Sequence, residues 1–494
     1  MQGTDSPSLT ETRMSAITER SAVALAMAIR RRELTAAEVV KAHIELLKRD
    51  QAKLNAIVAD RFEDALAQAR EIDQRIGGAA LRGFSLDELP PLTGVPFTVK
   101  ESIALEHMPH SAGAVARRDH RAGRSATAVQ RLVDAGAIPL GVTNTSELTL
   151  WIESENPLYG RTNNPYDQRR AAGGSSGGEG AAVGSGGSPF GVAADIGGSI
   201  RVPALFCGVF GHKPTPGLIP NTGLWPSSDG EAERLLAVGP LTRRAEDLLP
   251  LLEIMAGPDG LDPQAVAMEL GDPASVSLDG LLVTVVEGSS LRPISRDLRD
   301  ARERAVGALA SAGARVRTVS LPGWRRALLP FLAALQNTGS DSSRVTALLE
   351  QAGEPKVSLL SLLFGQGNHT LPTRLTVLAE ALPSRGPARQ SLLSRARALA
   401  DELVDAIGDG VLLHPAHPTV APPHRRTYGR PWVLTPAAVF NLAGVPVTQV
   451  PLGFNPAGLP VGVQVAAAPG ADHLSIAIAL ELEAVFGGWV RPGR

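Results

Sequence analysis

The chain has 494 residues, 44% of them hydrophobic and 20% charged, with a formal net charge of −2. That is the balance of a globular protein with a large core, and it removes the electrostatic case for a nucleic-acid partner. Cys207 is the single cysteine, which excludes an internal disulfide and fits a reducing, cytoplasmic setting. Met1 to Glu19 is polar, without the apolar run of a signal peptide. No stretch approaches the ~20 apolar residues of a membrane span.

Residues up to Ser15 read as a loose tail. Apolar residues then recur at helical spacing over Ser21 to Arg31 and Thr35 to Leu47. The first helix runs into Arg30-Arg31-Arg32, a solvated end where cations suit the C-terminal dipole. Asn55 to Val58 reads as a short strand, and Arg61 to Arg75 as a helix stopped by Gly77-Gly78. Leu92 to Val99 reads as a buried strand that delivers Lys100, with Pro96 marking an edge or a strand end. Ala126 to Gly136 and Ala137 to Val142 make a helix–strand unit of the α/β kind. Leu281 to Glu287, Asp297 to Ala312 and Ala314 to Val319 have the lengths of a parallel strand–helix–strand crossover. Apolar clusters at Leu328 to Phe331, Leu359 to Phe364 and Leu371 to Leu382 follow. They suit helical packing, a pocket wall, or a surface that touches membrane. Strand-like runs return from Val411, and over Pro446 to Gly453 and Gly458 to Ala466, before a helix over His473 to Phe486.

Chemistry concentrates between Gly173 and Lys213. Two Gly/Ser turns, Gly173 to Gly178 and Asp195 to Ser199, bracket a small-residue segment and the apolar run Pro189 to Ala194. A flexible linker has no such run, and glycine lets backbone approach a ligand closely. Gly173-Gly174-Ser175-Ser176-Gly177 fits a G-x-S-x-G elbow. The polar loop Arg161 to Arg170 before it is not the buried strand that elbow needs. Phosphate-binding glycine motifs are absent. The second turn follows an apolar run, as a strand-to-turn site should, so Ser199 is the better nucleophile candidate. The N–H groups of Ile196, Gly197, Gly198 and Ser199 are placed to converge on one oxygen, as an oxyanion hole requires.

These motifs resemble those of the amidase signature family, whose catalytic set is Ser–cis-Ser–Lys. Ser199 matches the nucleophile in D-x-G-G-S-I-R. Ser175 matches the bridging serine in G-G-S-S-G-G, where the family has a cis peptide. Lys100, closing Gly94-Val95-Pro96-Phe97-Thr98-Val99-Lys100, matches the base. Chemistry supports that assignment on its own terms. A serine hydroxyl needs a base to take its proton. No histidine lies in these motifs, and a lysine can serve if it is neutral. Burial disfavours the ammonium and lowers the ordinary lysine value of ~10.4. Ser175 would relay the proton and later return one to the leaving amine. Ser176, Asp195 and Arg201 are supporting candidates, the last two as a pair that fixes the turn. Thr143 to Glu147 resembles the family's T-N-x-S-E segment, in which Asn144 and Glu147 either brace the site or cap a helix. Cys207 and His212 read as structural.

Tyr159 to Asp167, Gly208 to Pro214, His414 to Pro422 and Phe486 to Val490 extend the resemblance, within the family, toward the type-2 fatty-acid amide hydrolases. The resemblance implies an α/β fold with a large mixed central sheet covered by helices on both faces. It implies a polar tail over 1–20 and one domain over 21–494. Within that domain, 21–80 is helical and 322–395 is a variable leucine-rich helical region. The implied reaction is hydrolysis of fatty-acid primary amides or N-acyl amines through an acyl-enzyme. A short-chain or aryl amidase and a glutamine-amidotransferase subunit are the alternatives. No cofactor or metal is implied. The partners are a small-molecule amide, a second copy in a homodimer, and a membrane surface touched peripherally.

Overall fold

Among the described residues, eleven strands pair into one sheet that takes segments from nearly the whole chain. The computed structural model describes residues 9–81, 85, 88–288, 293–337, 344–353, 369–380 and 386–493. Its strands are β1 (Ile57–Asp60), β2 (Pro96–Lys100), β3 (Ile138–Thr143), β4 (Glu155–Asn156), β5 (Gly160–Arg161), β6 (Phe190–Asp195) and β7 (Phe210–Lys213). They continue with β8 (Ala237–Thr242), β9 (Leu282–Glu287), β10 (Arg315–Ser320), β11 (Val411–His414), β12 (Val447–Phe454) and β13 (Pro460–Ala467). The large sheet runs β1-β3-β2-β6-β8-β7-β12-β13-β11-β9-β10, while β4 and β5 form a separate ribbon. It is mixed. β1 is antiparallel to β3 at one edge, β3, β2 and β6 run parallel next to it, β11, β9 and β10 run parallel at the other end, and the strands between are antiparallel. Helices cover both faces, as expected for the amidase signature fold. β2, β3, β6, β8 and β13 are buried throughout, so they read as apolar runs rather than alternating ones.

The topology places the site. Lys100, Thr143 and Asp195 are the last residues of three adjacent parallel strands, β2, β3 and β6. Their side chains therefore collect at one carboxyl edge, where open α/β sheets bind ligands. Pro96 is a strand end but not an edge. It is the first residue of β2, which lies between β3 and β6. Proline is tolerated there because the first residue of a strand need not donate to the ladder.

The crossover Leu282–Glu287, Arg296–Ser311, Arg315–Ser320 forms as read, with β9 and β10 parallel. The helix read over Thr35 to Leu47 starts there, with a reciprocal Thr35–Glu38 capping box. It continues to Leu54, where Asn55 in a left-handed conformation (φ 49°) closes it. One expectation is corrected. The loose tail is a helix from Leu9 to Thr18, because tertiary contacts hold it: Ile17 and Thr18 are buried, and Arg13 pairs with Glu38 at 2.5 Å. Its polar sequence carries no apolar stripe to announce it. In the leucine-rich region, helices cover Leu328–Leu335, Val345–Gln351, Leu371–Glu380 and Pro387–Ile407. The cluster Leu359 to Phe364 lies outside the described residues. The first of these helices packs Phe331 against Leu235, Ala438 and Ile196, beside the turn that carries Ser199.

Candidate active site

Lys100 ends β2 with 1% exposure, and its Nζ donates to Ser175 Oγ at 2.7 Å. Burial lowers the lysine to about 7, against the opposing negative charges of Asp195 and Glu179. The amine can therefore be neutral near physiological pH. The Gly174–Ser175 peptide is cis. The Ser175 carbonyl accepts from Ser146 N at 3.2 Å, Thr145 Oγ1 at 2.9 Å and Ser154 Oγ at 2.9 Å. Ser154 Oγ in turn accepts from Gly177 N at 2.7 Å. The segment after β3 thus clamps the first Gly/Ser turn. Glu147 does not cap a helix. It accepts from His369 Nδ1 (2.7 Å), Thr370 N (2.7 Å), Thr370 Oγ1 (2.8 Å) and Thr373 Oγ1 (2.8 Å), so it ties the Leu371–Glu380 helix to this edge. Asn144 accepts from Asn156 Nδ2 and from Thr145 N, which braces the same segment.

The second turn is built around Asp195. Its carboxylate accepts from Gly198 N at 2.8 Å and Ile200 N at 3.0 Å. Arg201 grips it with Nε at 3.1 Å and Nη2 at 2.9 Å. Arg201 also donates to Ala437 O (2.9 Å), Gln464 Oε1 (3.0 Å) and Asn441 Oδ1 (2.6 Å). The Asn441 amide returns to Asp195 Oδ1 at 2.9 Å and to Leu235 O at 2.9 Å. Burial alone would raise the Asp195 carboxyl. The Arg201 charge and hydrogen bonds outweigh it, with the Asn441 amide and the Ile200 N–H, and hold the group well below the carboxylate range. Asp195 and Arg201 form a fully buried ion pair across the turn.

Two supporting expectations need correction. The Gly198 N–H, one of the four grouped as oxyanion donors, already points at the Asp195 carboxylate, a stronger acceptor than a carbonyl. Ile196, Gly197 and Ser199 remain the candidates for that role. Gly198 instead supplies conformation: its φ is +117°, and a Cβ there would sit 2.7 Å from Ala437 Cβ. Ser176 is buried, and its Oγ has no hydrogen-bond partner among the described residues, so it lends the site no side-chain hydrogen bond.

Lys100, Ser175 and Ser199 line one pocket, walled by Thr149, Ile196, Leu224, Trp225 and Leu236. Arg117 stacks over Trp225 at 4.1 Å and fixes that wall. Asn441, Gln464, Glu179, Thr149 and Trp225 escaped the reading of the sequence. The available signal for Asn441 was a lone amide in the apolar helix Thr435–Leu442. Cys207 is buried, its thiol pushed up by burial and donating to Ala172 O. His212 bonds Thr448 and Asp472 in the core. Among the described residues, no three His, Cys, Asp or Glu side chains gather as a metal site would require.

A buried lysine in contact with a serine, beside a second serine on a glycine turn, at the edge of a mixed α/β sheet, defines a class of hydrolase. The chain matches the amidase family model over residues 38–475 and belongs to the amidase signature family, enzymes that hydrolyse amide bonds. It is 41% identical over 486 residues to fatty-acid amide hydrolase 2-A of Danio rerio, covering 96% of this chain and 90% of that protein. It is 41% identical over 487 residues to human fatty-acid amide hydrolase 2, with the same coverage. Among solved structures, it superposes on the peptide amidase of Stenotrophomonas maltophilia with a TM-score of 0.78 at 27% identity, covering 96% of this chain and 98% of that one. Among the described residues, no helix is long and apolar enough to cross a membrane.

Proposed function

We propose that this amidase cleaves fatty-acid primary amides or N-acyl amines through an acyl-enzyme on Ser199, with Ser175 and Lys100 as its proton relay. The observation that carries the reading is the 2.7 Å contact between Lys100 Nζ and Ser175 Oγ, in the cavity that also holds Ser199. Neutral Lys100 takes the Ser175 proton as Ser175 takes the Ser199 proton, and Ser199 Oγ bonds to the amide carbonyl carbon. The N–H groups of Ile196, Gly197 and Ser199 face the developing oxyanion. The C–N bond then breaks, and the proton held on Lys100 returns through Ser175 to the leaving nitrogen. Water repeats the sequence on the ester and releases the acid.

The substrate class is supported by the names of the relatives at 41% identity and by the apolar wall of Ile196, Leu224, Trp225 and Leu236. The test is turnover of matched amides with long acyl, short acyl and aryl groups, using Ser199→Ala as control. Faster turnover of the long-chain amides is expected, with none in the variant. Activity confined to short or aryl amides would reject the substrate class. Undiminished turnover by Ser199→Ala would reject the nucleophile.

A further inference from the structure

Two hydroxyls in the wall of the pocket have no part in the proton relay. Ser102 and Thr149 line it beside Lys100, Ser175 and Ser199. Among the described residues neither hydroxyl has a hydrogen-bond partner in the protein, and neither is sealed off as the orphaned Ser176 Oγ is. Ser102 is 2% exposed, so what its side chain opens to is the pocket. Serines close by are all engaged: Ser146 Oγ accepts from Trp151 N, Ser111 Oγ donates to Glu101, and Ser154 Oγ donates to the Ser175 carbonyl. The backbone carries a second sign. Leu148 and Thr149 both stand in the left-handed region, at φ 51° and 59°. That is costly for any residue but glycine, and most of all for a β-branched one. Leu148 N donates to Ala112 O at 2.8 Å, Leu150 N donates to Glu147 O at 3.1 Å, and Leu148 packs with Val345, Leu349 and Trp225, which together hold the strain. None of those contacts uses the Thr149 hydroxyl, and a valine would fill the same volume.

We propose that Ser102 and Thr149 set the leaving-group preference of this amidase: their hydroxyls form a polar subsite for an amine that carries its own hydrogen-bonding group. The inference rests on the reading of Ser175 as the group that returns the proton to the leaving nitrogen. That reading puts the nitrogen on the Ser175 side of the scissile bond. Both hydroxyls belong to chain tied to the relay. Ser102 lies two residues past Lys100, and Ile103 N donates to Lys100 O at 2.8 Å. Thr149 N donates to Ser146 O at 3.0 Å, and Ser146 N donates to the Ser175 carbonyl at 3.2 Å. The apolar lining is led from elsewhere: Ile196 stands in the turn that carries Ser199, and Leu236 directly precedes β8, the neighbour of β6. An acyl chain therefore has carbon to lie against, and the amine has hydroxyls. Each hydroxyl can donate and accept, so the subsite suits an alcohol or an amide on the amine side. A purely alkyl amine would strip water from both hydroxyls and return no hydrogen bond.

The test compares kcat/KM for two amides of one acyl group, with 2-hydroxyethylamine and n-propylamine as leaving groups. The two amines match in size and differ by a hydroxyl against a methyl. The native enzyme is expected to favour the hydroxyethyl amide by about tenfold, the scale of one or two net hydrogen bonds. Thr149→Val keeps the branched shape, removes only the hydroxyl, and is expected to lower that ratio by about threefold or more. Ser102→Ala is expected to do the same, and serves if Thr149→Val does not fold. A merely structural role would slow both amides equally and leave the ratio where it was. A native ratio near one, or a native ratio kept by the variants, would overturn the proposal. The acyl group is held constant and is the one that turns over fastest, so failure of the fatty-acyl class leaves this test standing. Ser199→Ala is assayed beside them. Its inactivity with an unmoved ratio in the other variants would overturn this proposal alone, whereas its full activity would remove the nucleophile, the relay and this inference with them.

Discussion

Replacing Arg201 by methionine tests what holds the turn that carries Ser199 together. The change deletes two donors to Asp195 and one each to Asn441, Gln464 and the Ala437 carbonyl, all buried. Breaking a buried pair by removing one partner costs about 3–5 kcal/mol. Asp195 keeps the Gly198 and Ile200 N–H groups and the Asn441 amide, so the lower end, about 3 kcal/mol, is expected. The pH dependence follows from the same contacts. In the native protein Asp195 lies well below its unfolded value of ~3.9. Its stabilising contribution is therefore full above that value and lost only as the pH falls through the lower, folded one. Without Arg201, burial dominates and the folded value rises above the unfolded one. The variant is then weakest near neutrality and recovers as acid protonates Asp195. Urea denaturation of both proteins at about pH 7 and pH 5 should show a gap that narrows toward acid, with turnover lost at both. A loss under about 1 kcal/mol with turnover intact would refute the reasoning.

Gly198→Ala combines a left-handed φ of +117° with a Cβ 2.7 Å from Ala437 Cβ, so a loss of about 1–3 kcal/mol and a fall in kcat are expected. Adding Ala437→Gly should relieve the clash but not the backbone strain, which thermal melts of both variants resolve. With Lys100 near about 7, kcat/KM of the native enzyme should fall tenfold per pH unit below that point; a profile flat to about pH 5 would contradict it. Glu147→Ala strips the shared acceptor from His369, Thr370 and Thr373. It should cost about 1–3 kcal/mol and speed hydrogen exchange in the helix Leu371–Glu380, read by mass spectrometry.

Lys100, Ser175 and Ser199 were legible because each sits in a short motif whose residue types answer to local needs: a strand end, a tight turn, a glycine that frees backbone. The chain around Ser175 and Ser199 is nearly contiguous, so pattern and geometry coincide. Asn441 and Gln464 were not legible, because their reason for being polar lies 240 and 263 residues away on Arg201. Glu179 was hidden for a related cause. A carboxylate in a glycine-rich helix reads as solvated until Thr98, Thr143 and Gly191 are seen to enclose it. The fold followed the same division. The strand–helix–strand unit over 282–320 follows from periodicity and length, whereas the helix Leu9–Thr18 owes its order to contacts with distant residues such as Glu38 and Arg491.

The lock on the turn that carries Ser199 also sets a timetable for biosynthesis. Arg201 emerges from the ribosome 240 residues before Asn441, roughly 12–48 s at about 5–20 residues per second. Throughout that interval the nascent chain already carries the serines and the lysine, but nothing yet joins Arg201 to the helix and strand that anchor it. Chemical competence therefore arrives late, with β13, rather than with the motif itself. A polypeptide released early, or an mRNA truncated anywhere in that span, is expected to yield a bearer of the signature that hydrolyses nothing. The cell is thereby spared a half-built hydrolase.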